Sequence, residues 1–215
     1  MHGVAAQVID TTDQLPAPGE TRASIRRQRL VEAARQLFAE RGFHGAGMAQ
    51  LASLSGVKVG QIYRDFASKE DLVAAIVEAD LAKFLDEPAL QAAVAESDRD
   101  AARNWIADLV LRKTEPHRAP LVPEIMAEAA RNPRIADILA ETDRRIRACV
   151  LAALSLFASA PGDSPRLNSA AELILTLMTG LCSRQVAFSG GVQGVCVQRI
   201  HTLIDGECGA LMRGE

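Results

Sequence analysis

The sequence predicts an all-α protein in two parts, a three-helix N-terminal head and a larger helical body, with about nine helices in all. Three observations carry this. Alanine, the best helix former, is abundant, while aromatic residues make up only 4 % of the 215 residues. The branched and aromatic runs that strands favour are therefore scarce. Apolar residues recur at three- and four-residue spacing from residue 25 onward, the period of a one-sided helix. Glycine and proline fall mostly between these segments, where helices end.

Taken in order, residues 1–20 are polar, contain Pro16, Pro18 and Gly19, and read as a disordered tail. They hold no Lys or Arg and no apolar stretch, so they are not a secretory signal. Thr21 or Ser24 caps a first helix whose apolar face is Ile25, Leu30, Ala33, Ala34, Leu37 and Phe38. Gly42 after Arg41 ends it in the left-handed conformation. Residues 48–54 form a short helix that buries Met48, Leu51, Ala52 and Leu54. Ser55-Gly56-Val57 interrupts it, and residues 59–66 resume with Ile62 and Phe66 four apart. Two short helices about a glycine turn are the signature of a helix-turn-helix. Ser68, followed by Glu70 and Asp71, caps a long helix over 69–85, with the acids at its positive end.

The body follows. A helix runs from Asp98 or Asp100 to Leu111, and Pro116, Pro120 and Pro123 break the region after it. A short helix starts at Ile125-Met126 and ends near Pro133, and an amphipathic helix spans 134–158. The helix over 167–188 is apolar on most of its circumference, so most of its faces must be covered. A last helix spans 192–212. The expected domains are the tail 1–20, a DNA-binding head 21–67 and a body 68–215.

Charge is uneven. Residues 1–20 carry a net −3, residues 21–70 carry nine basic and four acidic residues, and the remaining 145 hold 15 basic and 20 acidic ones. A basic segment on an acidic body suits a polyanion-binding head, though a solvated basic face has the same count. No apolar run reaches the roughly 18 residues of a membrane span. Cys149, Cys182, Cys196 and Cys208 form no CxxC pair, which argues against zinc and against a disulfide framework. The expectation is a cytoplasmic protein with no metal and no cofactor. Thiol-triggered control is a weaker alternative, because Cys182 and Cys196 lie on apolar helices, where burial keeps a thiol inert.

The stretch 27–72 resembles the DNA-binding head of the tetracycline-repressor-like (TetR) regulators. The residues that carry the resemblance are Ala33-Ala34, Leu37-Phe38, Arg41-Gly42-Phe43, Leu51-Ala52, Gly56-Val57, Gly60, Ile62-Tyr63, Phe66 and Ser68-Lys69-Glu70-Asp71-Leu72. The chain departs from that family's pattern at three places. Ala46-Gly47 stands where a hydroxyl usually caps the second helix; Gly47 can still cap it and offer its N–H to a phosphate. Asp65 stands where His or Tyr is common, and an acid there repels phosphate, so no DNA contact is assigned to it. Lys58 replaces a Ser or Thr and adds a charge at the turn.

The resemblance implies a recognition helix over 58–66. Ile62 and Phe66 face the core, which leaves Val59, Gly60, Gln61, Tyr63 and Arg64 outward. Gly60 lets the backbone approach the duplex. Gln61 can read an adenine edge, and Arg64 a guanine or a phosphate. The Tyr63 hydroxyl and Lys69 suit phosphate oxygens. Tyr63 could instead pack against the first helix, and Lys69 could be an ordinary solvated lysine. Arg22, Arg26 and Arg27 either reach a groove or form a plain basic surface. A homodimer through helices 167–188 and 192–212 would set two recognition helices roughly 34–36 Å apart on a palindromic double-stranded operator.

The resemblance also implies a pocket in the body for a small apolar or amphipathic effector. Candidate lining residues are Phe84, Trp105, Met126, Cys149, Met178 and Phe188, with His117, Arg184 and Gln185 as polar anchors. The implied function is a ligand-responsive transcriptional regulator, in most cases a repressor, with an efflux or metabolic operon as a frequent target. The alternative is a small-molecule-binding protein of the same fold with weak operator binding. An enzyme is disfavoured: the sequence shows no nucleophile with an acid and base, no glycine-rich phosphate loop, and scattered histidines.

Overall fold

The computed structural model of the chain describes residues 21–111, 121–159, 165–188 and 194–214. Among these it is all-helical, with ten helices rather than nine: α1 (Arg22–Gly45), α2 (Met48–Ser55), α3 (Val59–Asp65), α4 (Lys69–Leu85), α5 (Glu87–Ala95), α6 (Arg99–Leu111), α7 (Leu121–Ala129), α8 (Pro133–Ser155), α9 (Pro165–Ala187) and α10 (Gly194–Arg213). The expected tail 1–20 and His117 lie outside the described residues.

The added helix is α5. Pro88 sits in its first turn, where no N–H is needed, and Leu90 and Ala93 are its buried pair. It begins directly where α4 stops, at Asp86 with φ 45°. The apolar positions Leu72, Val73, Ile76, Val77, Leu81, Phe84 and Leu85 of the preceding helix run up to this boundary and mask it in the sequence. α7 also begins earlier than expected, at Leu121, because Pro123 stands in its first turn rather than ahead of the helix.

Local signals explain the other starts and stops. Thr21 and Ser24 cap α1 reciprocally, and Ser68 and Asp71 do the same for α4. Gln50 Oε1 accepts the Gly47 N–H at 3.0 Å, the return half of a capping box; the other half, an acceptor for the first-turn N–H groups of α2, is missing because glycine has no side chain. Gly56, at φ 69°, turns α2 into α3.

Two apolar cores form. The first joins Leu30, Ala34, Leu37, Phe38 and Phe43 of α1 to Leu51, Ile62, Phe66, Leu72 and Ile76, and it also takes Leu121 and Ile125 of α7 and Ile135 of α8. The second joins Leu85, Leu90, Ile106, Leu109, Val150, Leu154, Phe157, Ile174 and Ile204. Helices α4 and α8 run through both, one end in each. Polar clasps tie these two rods together. Arg134 pairs with Asp71, Asn132 Nδ2 donates to Glu70 Oε1 at 3.0 Å, and Arg145 reaches Glu78 of α4 at 2.7 Å and, beyond the rods, Glu87 of α5 at 2.7 Å. Arg35 of α1 is only 3 % exposed and pairs with Asp80 of α4, so its buried charge is matched.

Candidate nucleic-acid interface

Helix α3 is seven residues long and cannot hold itself; its inner side anchors it. Ile62 is fully buried and Phe66 is 2 % exposed, so the two expected core residues are in the core. Their burial contributes about 1.5–3 kcal/mol each. That leaves one face outward. Lys58, Val59, Gly60, Tyr63 and Arg64 are exposed, and Gln61 is half-buried. Tyr63, at 53 % exposure, does not pack against α1. A Cβ at Gly60 would meet open space, so nothing inside the chain requires glycine there. Gly47 is also exposed, at the start of α2. Lys58, Gln61, Tyr63 and Arg64 make no side-chain hydrogen bond or ion pair among the described residues, so their polar groups are available to a ligand.

Asp65 is neutralised. Arg26 grips it with two parallel bonds, Nε to Oδ2 at 2.6 Å and Nη2 to Oδ1 at 2.9 Å. The hydrogen bonds from Arg26 hold the Asp65 carboxyl below the usual range against a smaller opposing effect of burial. Arg27 donates to the Asp65 carbonyl at 2.9 Å and lies 4.1 Å from the Phe66 ring centre. Neither arginine is free surface charge: both clamp the C-terminal end of α3 to α1. Because the Asp65 pKa is depressed on folding, its contribution is present above about pH 4 and is lost as pH falls through the folded value. Arg26→Ala is expected to weaken DNA binding, because it bares an acid beside the phosphates. Asp65→Ala is expected to keep or tighten it. Titrations of both variants with one duplex check these opposite signs.

Lys69 has a different role from the expected phosphate clamp. Its ammonium donates to the carbonyls of Phe43 at 2.8 Å and Ala46 at 3.1 Å, and it sits 4.7 Å from the Phe43 ring centre. Two of its three donors hold the α1–α2 corner. The cause is the end of α1 at Gly45 and the extended backbone of Ala46 (φ −83°, ψ 117°), which leave these carbonyls without helical partners.

The expected effector residues do not gather in one place. Trp105 is 7 % exposed, and its indole N–H donates to the Leu85 carbonyl at 2.7 Å, as a core tryptophan does. Phe84, Cys149 and Met178 pack partly buried against the same second core. Met126 and Phe188 are 47 % and 60 % exposed, and Arg184 stacks over Phe188, so these three line no enclosed cavity. Gln185 is half-buried. Burial raises the Cys149 thiol pKa and pushes the Cys208 thiol up to about 11, whereas Cys196 is exposed.

Sequence reasoning misplaced one residue and passed over one pair. Leu54 is 44 % exposed rather than buried, at the end of α2 on the way to the turn. Glu124 and Glu128 of α7 meet the head. Glu124 Oε1 accepts the Phe43 N–H at 2.7 Å, and Glu128, 3 % exposed, lies 3.0 Å from His44 Nε2. Two acids four apart, alternating with the buried Leu121 and Ile125, were the available signal.

Comparison with known proteins agrees with this geometry. Residues 30–76 match the family model of bacterial regulatory proteins, tetR family. The chain is 29 % identical over 190 residues to the HTH-type transcriptional regulator UidR of Escherichia coli K12, covering 82 % of this chain and 93 % of UidR. It is 36 % identical over 72 residues to the HTH-type transcriptional repressor AcnR of Corynebacterium diphtheriae, covering 34 % of this chain and 38 % of AcnR. The structure of Salmonella enterica GusR aligns over 90 % of this chain and 98 % of its own length, at a TM-score of 0.66 and 26 % identity. Its relatives are transcriptional regulators and not enzymes, and no helix among the described residues is long and apolar enough to cross a membrane. The chain is a transcriptional regulator of the tetR family.

Proposed function

We propose that the chain is a homodimeric repressor that binds a palindromic operator and is released by a small apolar or amphipathic effector. The observation that carries this reading is the outward face of α3. Lys58, Val59, Gly60, Tyr63 and Arg64 are exposed and unengaged there, on a helix that Ile62 and Phe66 lock into the core. Gln61 at its flank and Gly47 at the start of α2 extend the face. Residues 21–67 act as the reading head, and residues 68–215 as the body that pairs and binds effector. Phe84, Trp105, Cys149 and Met178, all within or against the second core, are the lining residues retained for that effector. The Arg26–Asp65 pair removes the main support for the alternative, a binding protein with a disabled head. A regulator of this kind works beside the chromosome, in the cytoplasm.

Glycines support the placing of the dimer on α9 and α10. Gly180 and Gly206 are exposed inside these helices, and a Cβ at either meets open space within one chain. Glycine inside a helix costs about 1 kcal/mol relative to alanine. Close approach of a partner's backbone gives that cost a purpose. Leu173, Leu177 and Leu203 on the same helices are only half-buried in the single chain.

The test is selection of bound duplexes from a random pool with purified protein. The expected product is a palindrome with half-site centres roughly 34–36 Å apart. Titration in rising salt then resolves the contacts. Lys58→Ala is expected to lower the salt slope by about 1 and weaken all sequences alike, whereas Arg64→Ala costs about 1–3 kcal/mol and relaxes specificity at one position. A dimer that enriches no sequence, with or without cell extract, counts against operator binding.

A further inference from the structure

We propose that residues 1–20 dock through their carboxylates on the basic face of their own reading head and hold it until a duplex displaces them. The inference rests on the reading of α3 as the DNA face and adds to it a built-in competitor for that face.

The argument begins where acids are missing. Helix α4 carries Glu70 and Asp71 in its first turn, which suits the positive end of its dipole. Helix α1 has no acid in its first turn and begins with Arg22 instead. Arg22, Arg26 and Arg29 stand four and three apart, so they share one side of α1. That side meets the end of α3, because Arg26 bonds Asp65 there at 2.6 Å. Arg64 is the chain neighbour of Asp65, and Arg27 reaches the Asp65 carbonyl at 2.9 Å. One acid thus stands among Arg22, Arg26, Arg27 and Arg64, and Arg26 already neutralises it. Arg22, Arg29, Lys58 and Arg64 are exposed and make no side-chain hydrogen bond or ion pair among the described residues.

The chain delivers acids to this unmatched charge. Thr21 and Ser24 cap each other across the first turn of α1, at 3.1 Å in both directions. This fixes the point where residues 1–20 join, little more than one turn from Arg26. Those residues hold Asp10, Asp13 and Glu20 and no Lys or Arg. Glu20 stands two positions before Arg22. Asp13 and Asp10 can reach about 26–29 Å and about 36–40 Å from Thr21 along an extended chain. Helix α3 is only about 10 Å long. Both acids therefore reach any point on its outward face, from Arg64 back to Lys58.

An exposed ion pair is worth a factor of about 1.4–5, so three carboxylates hold the head loosely. A duplex presents one charge per roughly 1.7 Å and displaces them. The cost falls on every sequence alike, and it fades as salt screens the pairs.

The test uses the full chain, a variant lacking residues 2–20 with Thr21 retained, and a full-length variant carrying Asp10→Asn, Asp13→Asn and Glu20→Gln. Both variants should bind an arbitrary duplex roughly tenfold more tightly than the parent at low salt. Their salt slopes should be steeper, and the three curves should converge as salt rises. Contact is read separately, with a carbodiimide that joins a carboxylate to an amine it touches. In the duplex-free parent, Asp10 or Asp13 should couple to Lys58, and saturating duplex should abolish the product. Tighter binding by the variants without that coupling would mean that the acids merely repel DNA, and would overturn the docking. A gain from the deletion but none from the neutralised chain would place the effect in bulk rather than charge, and would overturn it too. Equal binding by all three proteins overturns the competition. Failure of all three to bind any duplex overturns the operator reading instead.

Discussion

Gly42→Ala is expected to destabilise the chain by roughly 3–5 kcal/mol and to abolish operator binding at 37 °C, the sum of a backbone and a side-chain effect. At φ 70° and ψ 170° the residue occupies a region that only glycine visits freely, at a cost of about 1–3 kcal/mol for anything else. The added methyl also meets Glu124 Oε1 at 2.7 Å. That carboxylate can swing away, but only by giving up the Phe43 N–H. A lost bond to a charged group adds about 1.5–3 kcal/mol. Domains hold only about 5–15 kcal/mol in total, so the loss is large.

Denaturant unfolding and operator titration check this together, and Gly60→Ala is the control. Gly60 has open space at its Cβ and lies inside α3. Alanine there should stabilise the helix by up to about 1 kcal/mol. Yet if the α3 backbone lies against the duplex, operator binding falls. Gly42→Ala thus lowers stability and binding together, while Gly60→Ala separates them. Equal stability effects from both would show that the corner at Gly42 is not strained as argued. Combining Gly42→Ala with Glu124→Ala should cost less than the two separately, because both lose the same bond.

Most of the reading head was legible because its signals are local. Ile62 and Phe66 four apart, Gly56 between two short helices, and Ser68 ahead of two acids each depend only on near neighbours. The structure places each of them as that spacing implies. Lys69 was not legible in the same way. Its partners, Phe43 and Ala46, lie more than twenty positions away, and the carbonyls they offer are orphaned by the end of α1, far from Lys69 in the chain. Arg26 and Asp65 show the same limit from the other side. The acid looked wrong for a DNA face until folding brought α1 alongside the end of α3.

The body was legible as helices but not as a site. Helical spacing separates apolar from polar faces and says nothing of which apolar face meets which. Trp105, Phe84 and Met126 looked alike in the sequence. In the structure one is core, one is half-buried and one is exposed. The division into two cores was hidden for the same reason. The first core closes with Leu121, Ile125 and Ile135, residues far along the chain from the head they complete. A head cut at residue 67 would leave its apolar underside bare.

Gly206→Arg is expected to split the dimer and reduce operator affinity by about two to four orders of magnitude, because the second half-site then binds without the effective concentration that linkage provides. Arginine at an exposed helical position costs the single chain little, since the Cβ at Gly206 has nothing near it. The fold should therefore persist while the assembly fails, a separation that sedimentation and circular dichroism resolve on one sample. Gly206→Ala sharpens the argument, because its two effects oppose. As a monomer the helix gains up to about 1 kcal/mol. As a dimer it loses closeness wherever the partner's backbone lies against the glycine. Tighter association on Gly206→Ala would mean that the glycine contributes nothing to pairing, and the interface would have to be sought on another face of α9 or α10. Weaker association despite a more stable helix leaves close packing of two chains as the reason an exposed glycine sits in the middle of α10.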